Sequence, residues 1–156
     1  IKTLMSTAEY IQINTNTKIS AYIGFVKAYK SPTTHKKNNL SHLFFDYYLN
    51  LNLENYISSN LELSLEKVSN DKYLKIFDPH ITKSILRPDN FDQLNNSIKM
   101  FLNHENFNFE SGVQSYENLQ VTNQSDRYQY ILPYYNFERS IKQNYFTVNI
   151  NFNTKW

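Results

Sequence analysis

Cysteine is absent from the 156 residues, so no disulfide framework or thiolate metal site exists within them. Glycine occurs twice and proline four times, too few to serve every turn of a chain this long. Asparagine must then take much of the turning, because it tolerates the left-handed backbone region better than other non-glycine residues. Two glycines cannot build a phosphate-cradling loop, and no Gly-x-Ser-x-Gly occurs. No apolar stretch reaches 18 residues, which excludes a transmembrane helix, and no signal-peptide pattern opens the chain. The formal net charge is only +2 and no basic block exceeds Lys36–Lys37, so nucleic acid is not an expected partner.

Chemistry-bearing side chains are sparse in the same way. His35, His42, His80 and His104 show no metal-ligand spacing, and without cysteine they read as loop histidines with no role. Glu62 and Glu66 share a strand face with Glu54 nearby; a solvated or lumen-facing row explains them better than an acid/base pair. The expectation is a protein without catalytic residues, cofactor or metal.

Aromatic residues are plentiful: 13 Tyr and 11 Phe bring the aromatic share to 16%. Their arrangement is extended. In Asp126–Phe137, Tyr128, Tyr130, Leu132 and Tyr134 alternate with Gln129, Ile131, Pro133 and Tyr135, the period of a strand. Pro133 would break a helix; in a strand it marks an edge, a bulge or a local break in pairing. The cleanest pattern places Leu43, Phe45, Tyr47, Leu49, Leu51 and Leu53 on one face. Phe44, Asp46, Tyr48, Asn50, Asn52 and Glu54 then share the other. A turn over 55–59 leads to Leu61, Leu63 and Leu65, predicting an antiparallel hairpin of Leu43–Leu53 with Ser59–Val68.

Further strands are predicted around Tyr10–Ile13, Ile19–Tyr29, Ile98–Leu102 and Phe107–Leu119. The last, Tyr145–Phe152, should pair with Arg127–Phe137 across a polar turn at Glu138–Asn144. It sets Phe146, Val148, Ile150 and Phe152 against Asn149 and Asn151. Tyr73–Phe77 reads as a short extended run and Pro79–Asp92 as a long irregular loop, with no helix anywhere. The fold class is all-β, an antiparallel meander of roughly six to eight strands. Residues 1–156 are read as one domain fragment, incomplete at both ends, because no Met opens the chain and a strand pattern closes it.

Two-faced strands admit two arrangements. A soluble sheet or sandwich buries its apolar face and wets the polar one. An outer-membrane barrel turns the apolar face to lipid and the polar face to a lumen. Long strands, aromatics near strand ends (Tyr29, Tyr56, Tyr73, Phe77, Tyr128, Phe137, Tyr145) and long loops alternating with short turns favour the barrel. The expected lipid-facing set is then Leu43, Phe45, Tyr47, Leu49, Leu51, Leu53, Phe146, Val148, Ile150 and Phe152. The expected lumen-facing set is Asn50, Asn52, Glu62, Glu66, Asn149 and Asn151.

A family resemblance narrows this. Ser69, Asn70, Asp71, Tyr73 and Leu74, then Tyr116, Asn118 and Leu119, then Tyr130–Pro133 with Tyr135, resemble the barrel domain of LptD, over roughly residues 40–156. The resemblance implies a curved open sheet from a large transmembrane barrel of a Gram-negative outer membrane. It implies a non-enzymatic part in assembling lipopolysaccharide into the outer leaflet. Implied partners are lipopolysaccharide, an LptE-like plug lipoprotein in the lumen, a periplasmic lipopolysaccharide bridge and outer-membrane lipid. The family's cysteines are absent from this stretch, and Pro133 is not equated with the prolines of the family's lateral seam. A passive porin-like channel shares the architecture; a soluble carbohydrate-binding β-sheet module would share only the surface tyrosines.

Overall fold

A computed structural model describes residues 4–30, 36–143 and 146–154. One eight-stranded sheet contains β1 (Met5–Ile13), β2 (Thr17–Lys30), β3 (Lys37–Asn50), β4 (Tyr56–Val68), β5 (Gln93–His104), β6 (Phe107–Asn118), β7 (Tyr128–Gln143) and β8 (Phe146–Thr154). Spatial order equals chain order, and all seven pairings are antiparallel. The sheet is open: among the described residues, the outer edges of β1 and β8 carry no partner. Strands of 9 to 16 residues far exceed the usual 5–6. An all-β meander is therefore the fold, with about 8% helix.

Connection lengths alternate. At one end of the sheet the turns are short, 14–16, 51–55 and 105–106. At the other end the connections are 31–36, 69–92 and 119–127. In the 51–55 turn, Asn52 (φ 49°) and Asn55 (φ 68°) adopt the left-handed conformation, so asparagine does replace glycine there.

Several boundaries differ from the sequence expectation, among them the turn expected over 55–59, which is strand from Tyr56 onward. The Leu43–Leu53 strand ends at Asn50, because left-handed Asn52 breaks the ladder; Leu51 and Leu53 lie in the turn, with the Leu51 amide donating to the Ser59 carbonyl. The expected turn at 138–144 is strand up to Gln143: β7 is long enough to pair with β6 over 128–139 and with β8 over 135–143. The partner of Phe146–Thr154 is thus Tyr135–Gln143 rather than the stretch beginning at Arg127. Pro133 sits in a register shift, where β7 spends three residues against two of β6 between Gly112 and Gln114. This bulge puts Tyr134 on the polar face and leaves Tyr128, Tyr130 and Tyr135 on the apolar one.

The last difference is the 69–92 connection. Tyr73–Ile76 and Asp78–Ile81 form two single helical turns, α1 and α2, and not an extended run. Pro79 suits the first turn of α2, where a missing amide costs nothing. The Thr82 amide and hydroxyl both donate to the Asp78 carbonyl and close it. Tyr73, Leu74, Phe77 and Ile81 are buried, so this connection supplies much of the molecule's core. A third turn, α3 (Gln124–Arg127), precedes β7.

Candidate functional site: two faces and a docked loop

Register assigns the faces. Ser20, Tyr22, Gly24 and Val26 of β2 stand opposite Asp46, Phe44, His42 and Leu40 of β3; Phe44, Asp46, Tyr48 and Asn50 stand opposite Glu66, Ser64, Glu62 and Asn60 of β4. Cross-strand hydrogen bonds knit this polar face. The Tyr48 hydroxyl donates to Asn60 Oδ1 (2.9 Å) and the Ser64 hydroxyl to Asp46 Oδ1 (2.8 Å). Further along, the Tyr134 hydroxyl donates to Glu110 Oε1 (2.8 Å).

The polar face is also where the loop docks. His42 Nδ1 lies 2.9 Å from the Tyr73 hydroxyl, and its ring stacks on Phe44 at 4.6 Å and leans on Tyr22. The Tyr22 hydroxyl donates to the His80 carbonyl (3.3 Å), and the Ser84 hydroxyl to Glu9 Oε1 on β1 (2.8 Å). Burial of the Tyr73, Leu74 and Ile81 side chains is worth about 1.5–3 kcal/mol each. The chain's two glycines both make room for rings on this face. A Cβ on Gly24 would lie 2.2 Å from the His42 ring, and one on Gly112 would lie 3.0 Å from Tyr134.

Charges fix the loop at its root. The Arg127 guanidinium donates to both Asp71 oxygens (2.6 and 3.1 Å) and to Glu117 Oε1 (2.8 Å from Nε), so it joins the loop to the β6–β7 connection. Glu117 also accepts from the Tyr128 hydroxyl (3.1 Å). The Arg127 hydrogen bond holds the Asp71 carboxyl below its usual range, and the two carboxylates raise the guanidinium further. Lys75 pairs with Asp92 across the mouth of the loop, which lowers the Asp92 carboxyl. Burial pushes the Tyr73 phenol up to about 12.

The opposite face is apolar and uncovered. Ile23, Phe25, Leu43, Leu65, Ile98, Val113, Tyr135 and Phe152 on it are all exposed. Phe45, Tyr47, Leu49 and Ile150 are half-buried against strand neighbours and lie outside the core cluster. Among the described residues five charged side chains occur at paired positions of this face: Lys30 with Lys37, Lys67 and Glu117 near strand ends, and Arg139 opposite Phe107. Aromatic rings bracket the aliphatic middle. At the short-turn end Tyr56, His104, Phe107 and Phe137 cluster, with centroids 5.0–6.0 Å apart. At the long-connection end Tyr128 and Tyr130 stack at 6.3 Å. Eight residue steps separate Phe107 from Ser115, the partner of Tyr130. At about 3.4 Å per residue and a tilt near 40°, that is roughly 20 Å along a barrel axis, close to the ~25 Å apolar band of outer-membrane barrels.

Of the sequence-predicted residues, Leu43, Phe45, Tyr47 and Leu49 share the apolar face. Phe146, Val148, Ile150 and Phe152 are registered on it, opposite Gln143, Ile141, Arg139 and Phe137. Asn50, Glu62 and Glu66 are on the polar face, and Asn149 and Asn151 are registered there opposite Ser140 and Glu138. Leu51, Asn52 and Leu53 belong to neither face, being in the turn. Tyr73 and Phe77 are core residues of the docked loop rather than strand-end aromatics, and Tyr145 and His35 lie outside the described residues. His42 is no loop histidine but the buried centre of the docking contact. The loop core could have been found: Tyr73, Phe77 and Ile81 recur every four residues, a helical spacing. Among the described residues no group of three or more His, Asp and Glu is arranged to hold a metal ion. No family model, curated protein or solved structure matches this chain.

Proposed function

We propose that this chain is a stretch of the wall of an outer-membrane β-barrel, non-enzymatic, with lipid against its apolar face and a lumen along its polar one. The observation that carries the reading is that most of the core lies on the polar face, under the 69–92 loop, while the apolar face stays largely bare beyond Leu94 and Glu117 at the loop's root. In a soluble sheet that face needs a cover; in a bilayer, lipid supplies it. Bracketing aromatics, apolar-face charges kept mostly to strand ends and the short-turn/long-connection asymmetry support the same reading.

Within that class we propose an LptD-type translocon that delivers lipopolysaccharide to the outer leaflet, with a plug lipoprotein against the polar face and a periplasmic bridge feeding it. Support comes from the motif pieces themselves. Ser69–Leu74 heads the docked loop, and Tyr130–Pro133 leads into the β7 bulge. Both are places where the strand grammar is interrupted, so the resemblance does not reduce to generic alternation. The inward-folded loop equally suits the constriction of a passive porin-like channel, which is the second reading. Depletion of the full-length protein decides between them: loss of surface lipopolysaccharide supports the translocon, and normal surface lipopolysaccharide with reduced small-solute uptake supports the channel. Recovery of the full-length protein in the soluble fraction would overturn both and favour a soluble sugar-binding sheet.

A further inference from the structure

The 69–92 connection is too well anchored to be a slack loop. An Asx turn stands at each root: Asn70 Oδ1 accepts from the Lys72 amide (2.9 Å), and Asn90 Oδ1 accepts from the Asp92 amide (2.8 Å). Pro88, beside the second root, is fully buried. Between the roots, Ile85 and Leu86 overhang a hollow of about 540 Å³ on the polar face, lined from the sheet by Lys18, Ser20, Asp46 and Glu62. The anchors are unequal in kind. The apolar side chains Tyr73, Leu74, Phe77 and Ile81 share one core with Tyr22, Val26, Leu40 and Phe44 of β2–β3, Leu94 of β5 and Leu119 after β6. The Arg127 contacts reach from a different connection, and they grip the loop at Asp71, next to its first root.

We infer that the 69–92 connection is a latched gate over the polar face, with the Arg127–Asp71–Glu117 cluster as its latch. The inference rests on the reading of that face as a lumen, since a gate needs a passage to close. Ion pairs suit a latch because they release over a short displacement, whereas the aromatic contacts around His42 guide the loop back to one seat. The gated space is the hollow beneath Ile85 and Leu86. Its lining of both charge signs suits a hydrated polar solute rather than an acyl chain.

The test uses the full-length protein in outer-membrane vesicles, with Ser20→Cys as reporter, because Ser20 is 1% exposed and borders that hollow. In the latched protein the thiol should react slowly with a charged maleimide. Asp71→Asn should raise the rate up to roughly fivefold, the loss of one partly exposed ion pair expressed as an open population. Asp71→Glu, which keeps the charge, should stay slow. Arg127→Gln is the second unlatched variant, for the case where Asp71→Asn assembles poorly. Rates that stay at the latched value in whichever of the two assembles overturn the gate. Fast labelling of the latched protein overturns it as well, by showing that the loop does not cover the hollow. Failure of the membrane reading is visible separately, as protein that does not sediment with vesicles; the labelling contrast can then still be measured in solution.

Discussion

The two faces of this sheet bury their side chains in opposite ways. Where the 69–92 loop docks, Tyr22, Val26, Leu40 and Phe44 are at most 5% exposed. One residue along the same strands, Ile23 and Phe25 are 51% and 46% exposed, and Leu43 is 38% exposed. Neighbours in sequence with similar hydropathy thus have opposite fates. The difference is one of cover, since the polar face has received a piece of its own chain. Water alone would penalise the bare side by about 25 cal/mol for each Å² left exposed, so its extent is informative. The core of this chain thus stabilises a loop on a sheet, whereas the sheet's large apolar surface is left uncovered by the described residues.

The largest expected effect breaks the covered side. Leu74 is fully buried in the loop core, and Leu74→Ala should cost about 2–5 kcal/mol through lost transfer energy and a residual cavity. The loss should be confined to the loop. Amide hydrogen exchange should speed up across 69–92 while the central amides of β5 and β6 keep their protection. Unchanged exchange in the loop would mean that its contacts with β2–β3 are not what holds it.

The next effect sharpens the bare side. Ile98 lies on the apolar face at 53% exposure, midway along β5. If lipid covers it, Ile98→Lys should cost about 2–4 kcal/mol in vesicle-based unfolding, as a cation near the bilayer midplane does. If water covers it, the same substitution belongs with surface changes, within about 0.5 kcal/mol. A result in the second range would remove the membrane from the interpretation.

Much of the meander was legible because strand alternation survives any environment. The register of β3 against β4 follows from period two on both strands: Phe45, Tyr47 and Leu49 face Leu65, Leu63 and Leu61, and only Leu43 meets a charge, at Lys67. Three things were not legible from alternation, each for a physical reason. The end of β3 is set by backbone sign at Asn52, which side-chain hydropathy does not encode. The β7 strand continues through Glu138–Gln143, although that composition reads as a turn, because pairing on both sides satisfies its backbone. His42 and Tyr73 lie 31 residues apart, and only the folded loop brings them together. The face assignment was readable; what covers each face is a property of partners, and hydropathy is silent on it.

The smallest expected effect is at the extremes of pH, and its two limbs separate the two kinds of anchor on the covered side. Asp71 has its carboxyl lowered from 3.8, chiefly by the hydrogen bond from Arg127. The docked loop therefore favours the ionised form. That contribution is fully present above about pH 4 and is lost as the pH falls through the lowered value. The Asp71 side chain is 43% exposed, so solvent screening keeps this limb small, below about 1 kcal/mol. Tyr73 behaves in the reverse sense. Burial raises its phenol from 10 to about 12, so the docked loop favours the neutral form. Its contribution is intact below pH 10 and declines as the pH rises from 10 through 12. A fluorophore on Ile85→Cys, 76% exposed at the rim of the hollow, would report docking across the whole range. Asp71→Asn should weaken the acid limb, leaving the part that Asp92 holds through Lys75, and spare the alkaline one; Tyr73→Phe should abolish the alkaline limb and spare the acid one. An acid limb unchanged in Asp71→Asn would assign it to another group. An alkaline limb that survives in Tyr73→Phe would mean that the buried phenol is not what the loop protects, and the aromatic seat around His42 would lose its place as an anchor independent of the latch.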